Sequence, residues 1–384
     1  MIFDSESVFE ENVITVLKQH GWKDGVLRYP TERDLLDNWK DILYRNNNDI
    51  DRLGKYPLTD GEMAQIIEQI ETLRTPLALN SFVNGRTVSI TRDNKEDVAH
   101  FGKEVSLYIY DRKEIAGGKS TYQIAQQPVY PAKNKMLNSR RGDLVLLING
   151  MPLIHIELKK SGIPVSQATN QIEKYAHEGV FTGLFRLVQI FVAMNPDDAV
   201  YFANPGVDKF NPSYYFHWAD YNNEPICGGQ NPGKDEWKLF IGGTSGTAGL
   251  LSIPMAHQLI GFYTIADSAD GCLKVLRSYQ YIAANAISDV VRKCDWEQRP
   301  VTPGRPGGYV WHTTGSGKTM TSFKSAQLIA DSHDADKVVF LMDRIELGTQ
   351  SLKEYRSFAD SETEVQGTET VSYTHLTLPT ILLV

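Results

Sequence analysis

No apolar run in this sequence is long enough to cross a membrane. The first residues, MIFDSESVFEEN, are acidic and lack the hydrophobic core of a signal peptide. Both absences predict a cytoplasmic protein. Cysteine is scarce: Cys227, Cys272 and Cys294 are odd in number, far apart and in no metal-ligand spacing. The expectation is reduced, buried thiols, with no zinc site. Positive charge is also in deficit, with 39 Lys and Arg against 47 Asp and Glu and a formal net charge of −8. A general basic coat for nucleic acid is therefore missing, and any such site must be a local groove. Internal repeats and low-complexity segments are absent too. What is present is 384 residues of ordinary globular composition, enough for two or three domains with sizeable cores.

Apolar periodicity organises the chain. Phe9, Val13, Val16 and Leu17 form a helical stripe, with Ser7–Glu10 fitting a capping box at its start. Leu35, Leu36, Trp39, Ile42 and Leu43 mark a second helix, and Met63, Ile66, Ile67 and Ile70 a third, after the turn at Leu58–Gly61. From Thr87 to Tyr130 the period drops to two, predicting strands in TVSIT, VSLYIY and YQIAQQPVY. A helix over Ser166–His177 and strands over Leu187–Met194 and Val200–Ala203 follow. Residues 204–249 are rich in Gly, Pro, Asn and aromatics and read as irregular, with helical signals returning near Met255. Leu276–Lys293 reads as one helix, and Arg299–Gly308 (RPVTPGRPGG) as a break. A strand at Tyr309–Trp311, a helix at Lys318–Ala330 and a strand at Lys337–Met342 then predict a parallel βαβ unit.

The central stretch is Arg140–Lys160, RRGDLVLLINGMPLIHIELKK: two apolar strands joined by Asn149-Gly150, a strong hairpin signal. Asp143 opens the first strand. Glu157 and Lys159 lie two apart on the second and share a face. Ionisable groups on buried strands are costly unless they bind a metal or do chemistry. A strict two-residue loop would put Asp143 and Glu157 on opposite faces. A three-residue loop, with Gly150 left-handed at a bulge and Leu147 opposite Met151, would bring them to one face, so an odd-numbered loop is expected. The chemistry implied is a phosphodiesterase centre, with Asp143 and Glu157 as Mg²⁺ ligands and Lys159 orienting water or stabilising the transition state. Gln171 and Tyr175, four apart on the next helix, share a face and join the site. His155 shares the Glu157 face and reads as a packed polar neighbour. Glu10 is balanced between an accessory acid and a plain capping residue. Glu236-Trp237-Lys238 repeats the Glu-x-Lys spacing without an apolar hairpin before it, and so is discounted.

A second site lies in YVWHTTGSGKT, Tyr309–Thr319. Strand, glycine-rich turn, Lys-Thr and helix form a P-loop arrangement for ATP. Gly315, Ser316 and Gly317 would cradle phosphates, Lys318 would reach the β- and γ-phosphates, and Thr319 would ligate Mg²⁺. His312 replaces the first glycine of the simple pattern. Gln280, in Arg277-Ser278-Tyr279-Gln280, stands where nucleotide motors carry an adenine-reading glutamine.

With GDLVLLINGMPLIHIELKK, NQIEKY, SYQ, WHTTGSGKT and FLMDRIEL in this order, the chain resembles the R (restriction and translocation) subunit of type I restriction enzymes, from near its N-terminus to about Thr370. The resemblance implies an α/β chain with a PD-(D/E)xK restriction-endonuclease-like domain over residues 1–225. An irregular linker would span 226–265, and the start of a superfamily 2 RecA-like motor lobe 266–370. Asp143, Glu157 and Lys159 match the family's D…ExK motif, Gln171 and Tyr175 its Q-x-x-x-Y element, Gln280 its Q motif, and Gly315–Thr319 its Walker A loop. It further implies cleavage of duplex DNA coupled to ATP-driven translocation, with a methyltransferase subunit and a sequence-specificity subunit as partners. The chain departs from the family in having no Asp-Glu-x-His box after Lys318 and no second lobe, so ATP hydrolysis is expected to fail. Val371–Thr380, VSYTHLTLPT, back-translates to a transposase adapter used in sequencing libraries. Residues 371–384 are therefore expected to be non-native, with the native frame continuing beyond about Thr370. The alternatives are a repair or phage-defence nuclease-helicase without methylase partners, and an inert DNA- or subunit-binding fragment.

Overall fold

Short polar residues start the N-terminal helices of the computed structural model. It describes residues 2–115, 117–131, 140–207, 209–231, 233–293, 308–341, 345–359, 365–367 and 380–383. Helix α1 (Glu6–Gln19) is capped by Ser5, whose hydroxyl accepts the Val8 amide. The box expected at Ser7–Glu10 does not form, because Ser7 already lies inside the helix. Glu10 is thereby released from any capping role. Strand β1 (Val26–Arg28) precedes α2 (Glu32–Asn46). Complete capping boxes start α2, at Thr31/Asp34, and α3 (Asp60–Thr72), at Thr59/Glu62. A helix that periodicity did not reveal, α4 (Pro76–Asn84), opens with proline in its first turn under a Thr75 cap.

Strands β2 (Thr87–Thr91) and β3 (Glu104–Tyr108) form a separate antiparallel pair, buried on alternate residues. Strands β4 (Tyr122–Gln126), β5 (Leu144–Ile148), β6 (Met151–Leu158), β7 (Ile190–Met194) and β8 (Ala199–Ala203) join β1 in a six-stranded mixed sheet ordered β1-β4-β5-β6-β7-β8. Strands β6 and β7 run parallel, with α5 (Val165–Glu178) in the crossover. Ala168 and Ile172 of α5 pack on Phe191, Ala193, Val200 and Phe202 of β7 and β8. His155 is registered with Phe191 and Glu157 with Ala193, so both point to the face that α5 covers.

The hairpin corrects one expectation. Its loop has two residues, Asn149 and Gly150, both left-handed, and Ile148 pairs with Met151. Two left-handed residues make the turn whose twist matches the flanking strands. A Cβ on Gly150 would stand 2.9 Å from the Trp39 Cα, so glycine is required there. The extra residue sits within β6 instead. Leu147 pairs with Pro152 and Leu146 with Ile154, which leaves Leu153 unmatched in a bulge. Pro152 has no N–H for the ladder, and bulges are where sheets accommodate proline. Beyond the bulge Leu144 pairs with Ile156, and the next step along brings Asp143 to Glu157 on one face.

The stretch 226–265, read as irregular linker, carries α6 (Glu236–Gly242) and α7 (Met255–Gly261). Trp237, Phe240, Ile241, Leu251 and Leu259 are buried there. Trp237 packs edge-on against Phe3 and Phe9, so Glu236-Trp237-Lys238 is helical and part of the core. Strands β9 (Thr264–Asp267) and β10 (Cys272–Val275) follow. By its contacts the chain divides into two units, Met1–Thr264 with Cys272–Val275, and Ile265–Gly271 with Leu276–Val384.

The second unit contains α8 (Ser278–Lys293), α9 (Lys318–Asp331), β11 (Lys337–Phe340), α10 (Ile345–Phe358), β12 (Val365–Gly367) and β13 (Thr380–Leu383). Its sheet is parallel, in the order β11-β13-β12. Tyr309–Trp311 is not a strand. Tyr309 and Trp311 are exposed, and β11 takes β13 as its parallel partner. Cys294, most of the expected break (299–307), Met342–Arg344 and residues 371–379 lie outside the described residues. No helix among the described residues is long and apolar enough to cross a membrane.

Candidate active site

Asp143 and Glu157 meet where β5 begins and β6 ends. Asp143 Oδ2 accepts the Leu158 amide at 2.7 Å, a bond that fixes its carboxyl beside Glu157. Glu157 is fully buried. Burial pushes its carboxyl up to about 7, against the pull of Lys159 and of a hydrogen bond with Asp143. Burial, then the Glu157 charge, raise Asp143 well above the usual carboxylate range. Two carboxyls this close, out of water, hold a proton between them unless a cation takes its place.

Lys159 follows on the same face. Its backbone N–H still bonds the Met194 carbonyl, which keeps the chain extended past the end of β6. Its Nζ donates to Leu158 O at 2.8 Å and to Glu157 Oε1 at 3.3 Å, and lies 3.7 Å from Glu6 Oε1.

The other carboxylate oxygen, Glu157 Oε2, is buried with no hydrogen-bond partner. Such an atom is costly unless a ligand satisfies it. Among the described residues no three His, Cys, Asp or Glu side chains close on one metal-sized point. Two carboxylates with one uncommitted oxygen suit Mg²⁺, an ion that takes hard oxygen ligands and keeps several waters. Asp143 and Glu157 are the residues that would hold it.

Gln171 and Tyr175 brace this centre. Gln171 Nε2 donates to the Tyr175 hydroxyl at 2.6 Å, and that hydroxyl donates to Arg141 O at 2.9 Å. The pair therefore anchors the strand two residues before Asp143. Burial raises the Tyr175 phenol well above its ordinary range, so it remains a donor. Both residues also line a cavity of about 460 Å³ with Arg140, Gln167, Asn170 and Lys174.

Three neighbours carry more weight than their sequence context suggested. Glu10 is buried, and its carboxylate accepts from Gln126 Nε2 at 2.5 Å and from Gln127 Nε2 at 3.1 Å. Burial raises its pKa. Its spacing to Val13 and Leu17 on the α1 stripe was the available signal, obscured by the capping-box reading. Gln127 is left-handed (φ 46°), and its N–H bonds Asp143 O at 2.7 Å. His155 is fully buried, with Nδ1 2.8 Å from the Tyr130 hydroxyl. Burial depresses its pKa to about 4, so the ring is neutral.

The second candidate site lies wholly in the second unit. Gly315 (φ 78°) and Gly317 (φ 80°) form the turn into α9, with Gly317 as its N-cap. Lys318 Nζ donates to Thr313 O at 3.1 Å, and the Ser316 hydroxyl donates to the same carbonyl at 2.7 Å. Thr319 is in the first turn of α9. Gln280 Nε2 donates to Gly317 O at 3.2 Å, and the Tyr279 hydroxyl to Ser316 O at 2.8 Å. The glutamine expected to read adenine thus braces the Gly315–Gly317 turn through its backbone.

A family profile described as "Type I restriction enzyme R protein N terminus" matches residues 4–210. One described as "SWI2/SNF2 ATPase" matches residues 279–378. A type I restriction enzyme endonuclease subunit from Staphylococcus saprophyticus is 31% identical over 94% of this chain and 34% of its own length. One from Staphylococcus aureus MSSA476 is 32% identical, with the same coverage of both chains. The type I restriction enzyme EcoprrI endonuclease subunit of Escherichia coli is 26% identical over 81% of this chain and 99% of its own. The chain spans about a third of the length of the two staphylococcal relatives. With the first profile covering more than half of it, the chain belongs to the family of type I restriction enzyme R proteins, in their N-terminal part.

Proposed function

We propose that this chain carries the DNA-cleaving centre of a type I restriction endonuclease subunit, on a PD-(D/E)xK-type domain that hydrolyses phosphodiesters of duplex DNA with Mg²⁺. The observation that carries the reading is the Leu153 bulge, which puts Asp143 and Glu157 on one face with Lys159 beside them. Asp143 and Glu157 hold the ion. When bound, it supplies Lewis acidity toward a phosphoryl oxygen and offsets the charge that builds there. Lys159, held by Glu157 and Leu158 O, would stabilise the charge that develops in the transition state. Tyr175 and Gln171 hold the approach to β5 so that Asp143 keeps its place.

In the complete assembly this cleavage is coupled to ATP-driven DNA translocation, with ATP phosphates at Gly315–Thr319. The match to the SWI2/SNF2 ATPase profile supports that arrangement. A methyltransferase subunit and a specificity subunit are the partners in this reading, and the latter reads the DNA sequence. Supercoiled plasmid incubated with the protein and Mg²⁺ should be nicked, and Asp143→Ala and Lys159→Ala should each abolish nicking. Wild type and both variants cutting alike would show that the activity lies elsewhere.

A further inference from the structure

We propose that Tyr130 and His155 form a hydrogen-bonded relay that orients the Glu157 carboxylate for its cation. The inference rests on the cation-site reading of Asp143 and Glu157, and it assigns positioning residues to that site.

Of the buried side-chain atoms without a hydrogen-bond partner among the described residues, two lie beside each other: His155 Nε2 and Glu157 Oε2, 3.4 Å apart. They are close enough to bond but are not aligned for it. On the far side of the ring, Nδ1 is 2.8 Å from the Tyr130 hydroxyl. In a neutral imidazole one nitrogen donates and the other accepts. A phenol donates well, and with Glu157 ionised, as holding a cation requires, its carboxylate oxygen only accepts. The one assignment that satisfies all three groups runs in a single direction: Tyr130 O–H to Nδ1, then Nε2–H to Glu157 Oε2. The reverse tautomer would aim the Nε2 lone pair at the carboxylate, which is repulsive.

The surroundings hold the relay in place. Tyr175, Phe181 and Phe191 enclose the imidazole edge-on, with ring centroids 6.3, 5.5 and 6.0 Å away. Gly142, next to Asp143, lets Tyr130 and His155 approach the strand. A Cβ there would stand 2.5 Å from Tyr130 Oη and 2.8 Å from His155 Cε1. Lys159 fixes Oε1 of Glu157, so a donor on Oε2 would define the plane of the carboxylate. Each oxygen then retains a lone pair for a cation. Removing a hydrogen bond that orients a metal ligand in this way typically costs about 10- to 100-fold in metal affinity.

The test uses the 384-residue chain labelled with ¹⁵N-histidine, together with Mn²⁺ titration followed by electron paramagnetic resonance. The His155 nitrogens should show the Nε2–H tautomer, with Nδ1 unprotonated. Tyr130→Phe removes a single oxygen and should weaken Mn²⁺ binding about 10- to 100-fold, while thermal unfolding stays cooperative. His155→Leu should weaken it at least as much. His155→Gln, whose amide can still donate to Glu157, should recover most of the affinity. An Nδ1–H tautomer overturns the relay, as does wild-type Mn²⁺ affinity in Tyr130→Phe and His155→Leu. Should the wild-type chain bind no Mn²⁺ at all, the cation reading falls by itself, and the tautomer still decides the relay.

Discussion

Asp143 accepts the backbone N–H of Leu158, one residue past Glu157, and this single bond across β5 and β6 holds the two acidic side chains together. A two-residue loop with regular pairing would have sent them to opposite faces. The unmatched Leu153 restores the match. The site therefore rests on a local irregularity of one strand, as bulges beside active sites often do.

The raised Glu157 carboxyl should be visible in stability. Burial raises Glu157 from 4.5 to about 7, so the folded protein binds a proton more tightly than the unfolded chain. That stabilisation is complete below about pH 4.5 and is lost as pH rises through 7. In EDTA, the urea-unfolding free energy should drop between pH 5.5 and 8 by on the order of 2–3 kcal/mol. Mg²⁺ should restore stability at pH 8, and Glu157→Gln should flatten the profile. An unchanged profile in Glu157→Gln would show that the proton resides elsewhere.

Gln171, Tyr175 and Arg141 O form one chain of hydrogen bonds, so truncations there should not add. Tyr175→Phe should cost about 1 kcal/mol of stability and lower plasmid nicking. Gln171→Ala in the Tyr175→Phe background should then add little. The readout is a double-mutant cycle on both unfolding free energy and nicking rate. Full additivity would mean that the two residues act separately.

In the phosphate loop, Gly317 is left-handed, and a Cβ on it would collide with Gln280 Nε2. Gly317→Ala should abolish binding of a fluorescent ATP analogue, as should Lys318→Ala. Adding Gln280→Ala to Gly317→Ala relieves the collision but not the left-handed backbone, so binding should return only in part. Complete recovery would assign the whole effect to crowding. Wild type should bind the analogue, which a fluorescence titration checks.

Arg92 is a test of the scaffold. It is fully buried, donating to Glu62 at 2.6 Å, to Asp97 at 3.1 Å and to Tyr56 O at 2.9 Å. Glu62 also caps α3 and accepts the Asp93 amide. Arg92→Leu leaves two carboxylates without their partner and should cost about 3–5 kcal/mol in urea unfolding. A loss under 1 kcal/mol would mean that water or another cation replaces the guanidinium.

Much of this was legible in the chain itself. Period-two and period-three-to-four patterns located β2 to β4 and α1 to α3, because burial of one face is written directly into residue order, and continuous apolar runs located β5 to β8, which are buried on both faces. The pairing of an acidic residue with Glu-x-Lys around an apolar hairpin marked Asp143, Glu157 and Lys159. The bulge was expected at Gly150 and lies at Leu153; Pro152 beside it, a residue without an N–H for the ladder, was a signal the reading did not use. Helix α6 was obscured because Gly, Pro and Asn around it swamp a seven-residue periodicity, while α7 begins where helical signals return near Met255.

By itself, then, the sequence determined which segments carry buried faces, where the chemically capable residues lie along them, and which family the order of motifs resembles. Those follow from spacing and residue type. Tertiary structure alone decided what each of those residues meets. It turned Glu10 from a helix start toward Gln126 and Gln127, aimed His155 between Tyr130 and Glu157, and sent Gln280 onto the phosphate loop. The contacts of Glu10 with Gln126 and Gln127, of His155 with Tyr130 and of Gln280 with Gly317 join residues far apart in the chain. Such relations exist only once packing has selected one arrangement of the sheet.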